Sequence, residues 1–383
     1  MQILNRKGRN MKKIATVSYN MHCNFDNYGS ALQTYALQRV INELDPGNLS
    51  AVVLDYCPDC LSDVDPLNPI ARMWDADEES RKMVELSMGA IRDNHAKFEH
   101  FYRDVLPVSN GSYTSANFDS SLDAEHLDGY VCGSDTIFCI REFGGFDDGY
   151  YAHYTSMRGR STSYAASFGD VDWTESELET LSQRLGNFKA IGIREGGMLP
   201  FVREHVDAPA ARVCDPTLLL SGFDYDCITA DPQLDEPYVL LYSRRYSPAM
   251  ERYADDVAEK LGCKVVDISL RATNSERGHI MRYDAGVEEY LALVEHAEYM
   301  VTNSYHGLIF AAQKHTPFSV FSREQADTKI DALLNWVGFE DRKMISGEED
   351  VPLTMEFDSM EEKLDSIRKS SIDFLRSSLE LIG

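Results

Sequence analysis

Twice in this chain an apolar run breaks into a polar, glycine-containing turn and passes straight into a helical pattern. The first run, residues 14–19, leads through Asp26-Asn27-Tyr28-Gly29-Ser30; the second, residues 299–302, leads through Asn303-Ser304-Tyr305-His306-Gly307. The first turns of a helix carry unpaired N–H groups and a partial positive charge, so such junctions suit an anionic ligand. Apolar runs alternate with helical stretches in both halves of the chain, which restricts the fold to crossover units with parallel strands.

In the first half, apolar positions Leu32, Tyr35, Ala36, Val40 and Leu44 fall on one face of a helix over 31–44, and 51–56 reads as the next strand. Further strand-like runs end in small or polar residues at 129–135, 163–169, 190–197 and 212–217. Between them, 59–127 reads as a mainly helical insertion. An Asp, Pro and Glu-rich stretch at 229–237 marks a boundary. Beyond it, strands at 238–242, 264–268, 299–302 and 318–321 alternate with helices at 247–261, 287–296 and 307–315, and a last helix spans about 357–381. The expected architecture is α/β with two Rossmann-like parallel-sheet domains facing across a cleft, at 11–230 and 236–345. A C-terminal helix within 355–383 packs back on the first. The ten residues before Met11 read as a disordered lead.

Acidic side chains number 63 against 37 basic ones, a net charge of -26. That field opposes nucleic acid and anionic lipid surfaces, so no nucleic-acid partner is expected; a small anion still binds where arginines gather in a cleft. No run reaches the roughly 20 apolar residues of a membrane span. The eight cysteines lie mostly in apolar segments, the pattern of reduced, buried thiols in a cytoplasmic protein.

Candidate residues each carry two readings. His306, at a helix start, is a proton acceptor, a charge partner of an anion, or simply a capping or core histidine. Arg194, at a strand tip, holds an anion through its planar fork or pairs with Glu195. Arg244 and Arg245 follow a strand in the same way. Asp135, after Gly133-Ser134, is a general acid or base, or a cap. Cys57 and Cys60 have the spacing of half a zinc or redox site without a second pair, and neither Gly144-Gly145 nor Gly196-Gly197 matches a dinucleotide or phosphate loop. No metal site is expected.

Taken together, Asn27-Tyr28-Gly29-Ser30 with the following Leu32 to Gln38, Gly133-Ser134-Asp135, the run from Ser163 to Gly169, Arg194-Glu195, Asp215-Pro216-Thr217 and Asn303-Ser304-Tyr305-His306-Gly307 resemble the polysaccharide pyruvyl transferase family. The resemblance implies a GT-B-like fold with an interdomain active site. It also implies transfer of a pyruvyl group from phosphoenolpyruvate to sugar hydroxyls of a cell-surface glycan or its precursor, with no cofactor besides that donor. By the resemblance, His306 and Asp135 are catalytic. Arg194, Asn303, Ser304, Gly307, Arg244 and Arg245 bind the donor, and Asn27, Tyr28, Gly29, Ser30 and Ser134 form the acceptor side or its loop. The family pattern has an arginine where this chain has Ser304, which leaves Arg244, Arg245 or Arg271 to replace it. The implied location is cytoplasmic, peripheral to the membrane where glycan precursors are made, and a homo-oligomer is compatible with the sequence. The same architecture serves a glycosyltransferase using a nucleotide sugar, or a noncatalytic glycan-binding protein.

Overall fold

A computed structural model describes residues 11–72, 77–322 and 327–382. The lead before Met11 lies outside them. Seven strands build the first sheet: β1 (Lys12–Val17), β2 (Leu49–Tyr56), β3 (Val108–Tyr113), β4 (Gly129–Cys132), β5 (Ser161–Ala166), β6 (Phe188–Ile193) and β7 (Ala210–Arg212). Six build the second: β8 (Tyr238–Tyr242), β9 (Lys264–Ile268), β10 (Ile280–Met281), β11 (Tyr299–Thr302), β12 (Phe318–Phe321) and β13 (Lys343–Met344). Their orders are β3-β2-β1-β4-β5-β6-β7 and β10-β9-β8-β11-β12-β13, with every pairing parallel.

Strands covered on both faces read as continuous apolar runs, which is why the central ones were visible in the sequence. The edge strands β3, β10 and β13 were not, and the run read at 212–217 begins on the last residue of the edge strand β7. β3, with the sequence VSNGSY, lies inside the segment read as a helical insertion; its small polar residues suit a sheet edge and give no apolar signal. The insertion does contain a long helix, α2 (Glu78–His100), capped by Asp77.

The helix after the first junction, α1 (Tyr28–Leu44), was expected to bury one face. Every residue from Tyr28 to Gln38 is buried instead. The cause is its position between the two halves of the molecule: Tyr28 stacks on Tyr290 with ring centroids 4.3 Å apart, and its hydroxyl donates to the Ala285 carbonyl at 2.7 Å. The Asp358–Glu380 helix lies against the first sheet, where the Ser371 hydroxyl accepts the Cys214 N–H at 3.0 Å and Phe374 covers Gly192. Among the described residues no helix is long and apolar enough to cross a membrane.

Candidate functional site

Each sheet has one place where its strand order reverses, between β1 and β4 in the first and between β8 and β11 in the second. Ligands of open parallel sheets gather beyond the carboxyl ends of the strands at such reversals. Here the two reversals face each other. One cavity of about 200 Å³ is lined by Tyr19, Phe25 and Asn27 after β1, by Asp135, Thr136 and Glu142 after β4, by Arg244 after β8, and by Ser304, Tyr305 and His306 after β11. Arg194, after β6, and Lys329 complete the wall.

Behind the wall stands Asp215, whose carboxylate has no exposed surface. Its Oδ1 accepts from the Thr217 N–H and hydroxyl at 3.0 and 2.7 Å. Its Oδ2 accepts from Gln33 at 2.6 Å and from Arg194 Nη1 at 2.9 Å, with His306 Nε2 3.5 Å away. Burial alone would raise the pKa of this carboxyl. The hydrogen bond and charge of His306, the charge of Arg194 and the Thr217 hydroxyl outweigh it and hold the group below the usual carboxylate range. Arg194 and His306, 112 positions apart in the chain by their numbers, therefore meet on one oxygen atom.

The His306 ring is fixed from two sides. A Cβ on Gly29 would stand 2.0 Å from its Nδ1, so only glycine at the start of α1 lets the imidazole lie there. On the other edge, Nε2 is 2.9 Å from the Gln33 amide nitrogen. A neutral ring accepts that N–H and carries its proton on Nδ1, whereas a protonated ring places its charge beside Asp215.

Arg194 was expected either to grip an anion or to pair with Glu195. Its guanidinium, 5% exposed, donates to Glu195 at 2.7 Å as well as to Asp215, with Asp135 3.7 Å away and the Tyr305 ring beneath it. Carboxylates thus already compensate its charge. Asp135 accepts from the Ser30 hydroxyl at 3.0 Å and from the Thr136 N–H at 2.9 Å. Glu142 accepts from the Thr136 hydroxyl. Although Glu142 is exposed as a residue, its carboxyl is crowded at the cavity wall; that crowding, with Asp135's charge second, pushes its pKa up to about 7.

Of the residues singled out in the sequence, Asn27, Asp135, Arg194, Arg244, Ser304 and His306 share the cavity. Others stand behind it. Asn303 accepts from the Arg244 N–H at 2.8 Å and donates to the Arg245 carbonyl at 2.7 Å, so it braces the turn carrying those arginines. The Ser304 hydroxyl caps its helix (Tyr305–Gln313) by accepting from the Gly307 N–H, and Gly307 packs so closely on Thr302 that a Cβ would stand 2.4 Å from its hydroxyl. Tyr28 packs between the two halves, Ser30 supports Asp135, and the buried Ser134 hydroxyl donates to the Ala165 carbonyl. Arg245 and Arg271 line a neighbouring groove of about 270 Å³ that shares Phe25 and Arg244 with the cavity. Arg271 there donates to Glu79 at 2.8 Å and lies over the Tyr246 ring.

Gln33 and Asp215 stood inside the motif strings without being singled out. Glu142 and Lys329 gave no sequence signal. All eight cysteines are free thiols; only Cys23, Cys132 and Cys214 are buried, and Cys227 is exposed, so the expectation of mostly buried thiols needs correction. Burial and nearby acids push the Cys57 thiol up to about 11, away from a reactive thiolate. Among the described residues no group of three potential ligands could hold a metal ion.

A family model described as polysaccharide pyruvyl transferase matches residues 27–325. Among curated protein sequences there is no significant match. Among solved structures, the UDP-GlcNAc 2-epimerase from Methanocaldococcus jannaschii aligns with 10% identity and a TM-score of 0.49, covering 93% of this chain and 92% of that one. The ADP-heptose LPS heptosyltransferase II from E. coli aligns with 10% identity and a TM-score of 0.37, covering 96% and 98%.

Proposed function

We propose that this chain, which belongs to the polysaccharide pyruvyl transferase family and is a transferase, moves the pyruvyl group of phosphoenolpyruvate onto two hydroxyls of a sugar in a glycan or its precursor. The cavity between the two strand-order reversals is its active site. The observation that carries the reading is the meeting of Arg194 and His306 on Asp215, directly behind a cavity that also holds two carboxyls and two further cations.

The chemistry asks for four things in one place. The donor's methylene carbon takes a proton, which leaves positive character on the neighbouring carbon. A sugar hydroxyl attacks that carbon and loses its proton. The C–O bond to phosphate then breaks, and a second hydroxyl closes the ketal. Of the two hydroxyl protons, one balances the new methyl group and the other leaves with inorganic phosphate. Glu142, with its carboxyl near neutrality, is suited to give the proton to carbon. Asp135, held by Ser30 and Thr136, is suited to take one from a hydroxyl. Arg244 and the start of the Tyr305–Gln313 helix supply positive charge for the donor's anionic groups. The His306–Asp215–Arg194 cluster gives this wall a fixed shape, which lowers the cost of positioning the donor.

The test is incubation of the protein with phosphoenolpyruvate and a panel of nucleotide-linked and lipid-linked sugars. Phosphate release that depends on acceptor, with a ketal product by mass spectrometry, is the expected result, and the rate should fall as pH rises through about 7, where Glu142 loses its proton. Absence of both phosphate release and phosphoenolpyruvate binding would remove the reading. Thermal stabilisation by a nucleoside diphosphate alone would favour glycosyl transfer instead.

A further inference from the structure

A second compartment opens from the cavity. The groove of about 270 Å³ shares Phe25 and Arg244 with it and lies beyond the carboxyl ends of β8 and β9, whose loops supply Tyr246 and Arg271. Its opposite wall comes from the insertion in the first half, through Ile70 and the start of α2 at Glu79 and Met83. The two walls are packed together: the Thr273 hydroxyl donates to the Met83 sulfur at 3.7 Å, and Leu270 and Tyr283 lie against the apolar cluster of Ile70, Val84 and Ile91. Neither half forms this groove alone.

Its chemistry differs from that of the cavity. The Arg271 guanidinium donates to Glu79 at 2.8 Å, and Asp77 is committed to capping α2 by accepting the Ser80 N–H at 2.8 Å. A matched guanidinium and carboxylate present N–H donors and oxygen acceptors side by side. That suits the adjoining hydroxyls of a sugar ring, each of which donates and accepts, better than it suits a second anion.

Tyr246 supplies the other half of such a site. The Arg271 guanidinium carbon stands 3.9 Å from its ring centroid and takes one face, yet the residue is 46% exposed. An aromatic ring held from behind by a cation and open in front is a platform for the C–H face of a pyranose. Ile70, Met83 and Leu270 extend the apolar surface beside it. We infer that this groove is a sugar subsite, in which a neutral pyranose ring stacks on Tyr246 and gives its hydroxyls to Arg271 and Glu79, so that the insertion and the second half together select the glycan. That this sugar belongs to the pyruvyl acceptor, whose reacting hydroxyls reach the cavity past Phe25 and Arg244, rests on the function proposed above.

Saturation-transfer NMR on the full chain, with methyl glycosides of glucose, galactose, mannose and N-acetylglucosamine and with UDP, tests it alongside calorimetry with phosphoenolpyruvate. The wild type should bind at least one glycoside, and Tyr246→Ala and Arg271→Met should each weaken it about 10-fold. Tyr246→Trp should keep the affinity, since it keeps the platform. Tyr246 stands at an exposed rim, so the melting temperature of its variants should not move, and their affinity for phosphoenolpyruvate should match that of the wild type. In turnover assays the KM for the acceptor should rise in Tyr246→Ala while that for the donor stays constant. If glycosides bind through Tyr246 but phosphoenolpyruvate neither binds nor reacts, the sugar subsite stands and the pyruvyl reading falls. A wild type that binds no glycoside, equal glycoside affinities in wild type, Tyr246→Ala and Arg271→Met, or binding of UDP alone that Tyr246→Ala abolishes overturns the inference.

Discussion

Two buried aspartates among the described residues each meet a histidine, and of the two Asp215 stands behind the cavity between the strand-order reversals. Asp267, on β9, accepts from His279 Nδ1 and from Asn274, both at 2.9 Å, while His279 Nε2 pairs with Asp255 at 2.7 Å and Arg277 with Glu251 at 2.8 Å. All of these residues fall between positions 251 and 279, and none lines the cavity between the strand-order reversals. Asp215 instead gathers Gln33, Arg194 and His306 from both halves of the chain, and two of the three face that cavity. A buried Asp–His pair is therefore not in itself a sign of a site. The sign is convergence of distant elements beside a cavity whose Arg244 and Lys329 pair with no carboxylate among the described residues.

That contrast can be broken most sharply at the two carboxylates. Asp215→Ala leaves the buried donors of Gln33 and Thr217 unpaired and removes one of the two close carboxylates beside the buried Arg194, which should cost about 3–5 kcal/mol of stability. Asp267→Ala should cost only about 1–3 kcal/mol, because His279 keeps Asp255. Urea denaturation of both variants measures the difference, and equal losses would show that the Asp215 cluster is no more than another internal network. Smaller in stability but larger in function, Gly29→Ala should cost about 1–3 kcal/mol by forcing the His306 ring aside. Its donor affinity should fall more than that of an alanine placed at exposed Gly197, which has open space around it.

The smallest effect concerns pH. Burial by itself lowers the pKa of His279, but its bonds to Asp267 and Asp255 outweigh that and raise it above the ordinary histidine value. Its contribution to stability is then complete below the pKa of the unfolded chain, near 6.5, and is lost as pH rises through the folded value. Melting temperatures of the wild type should decline across that window more than those of His279→Gln. An equal decline in both would assign the pH dependence to other groups.

Some of the site could be read before any coordinates, and the reasons differ residue by residue. His306, Arg194 and Asp135 stand at the ends of apolar runs, where chain direction alone brings side chains to the carboxyl edge of a parallel sheet. Asn303 and Ser304 have the same address but turn their polar atoms to the backbone, as short polar side chains at helix starts readily do. Local pattern does not separate the two outcomes. Lys329 and Glu142 had no periodic or motif context at all, because what makes them notable is the absence of a local partner in one case and the crowding around a carboxyl in the other.

The alternation of apolar and helical segments by itself determined two parallel sheets and the positions of the strands at their centres, since strands covered on both faces must be apolar throughout. Only the tertiary structure decided that the two reversals face one another, that the Tyr28 to Gln38 part of α1 is buried on all sides between the halves, and that Arg194 and His306 share one oxygen of Asp215. They bring together residues such as Tyr28 and Tyr290, or Arg194 and His306, that stand more than a hundred positions apart, and no periodicity within either segment encodes the packing that joins them.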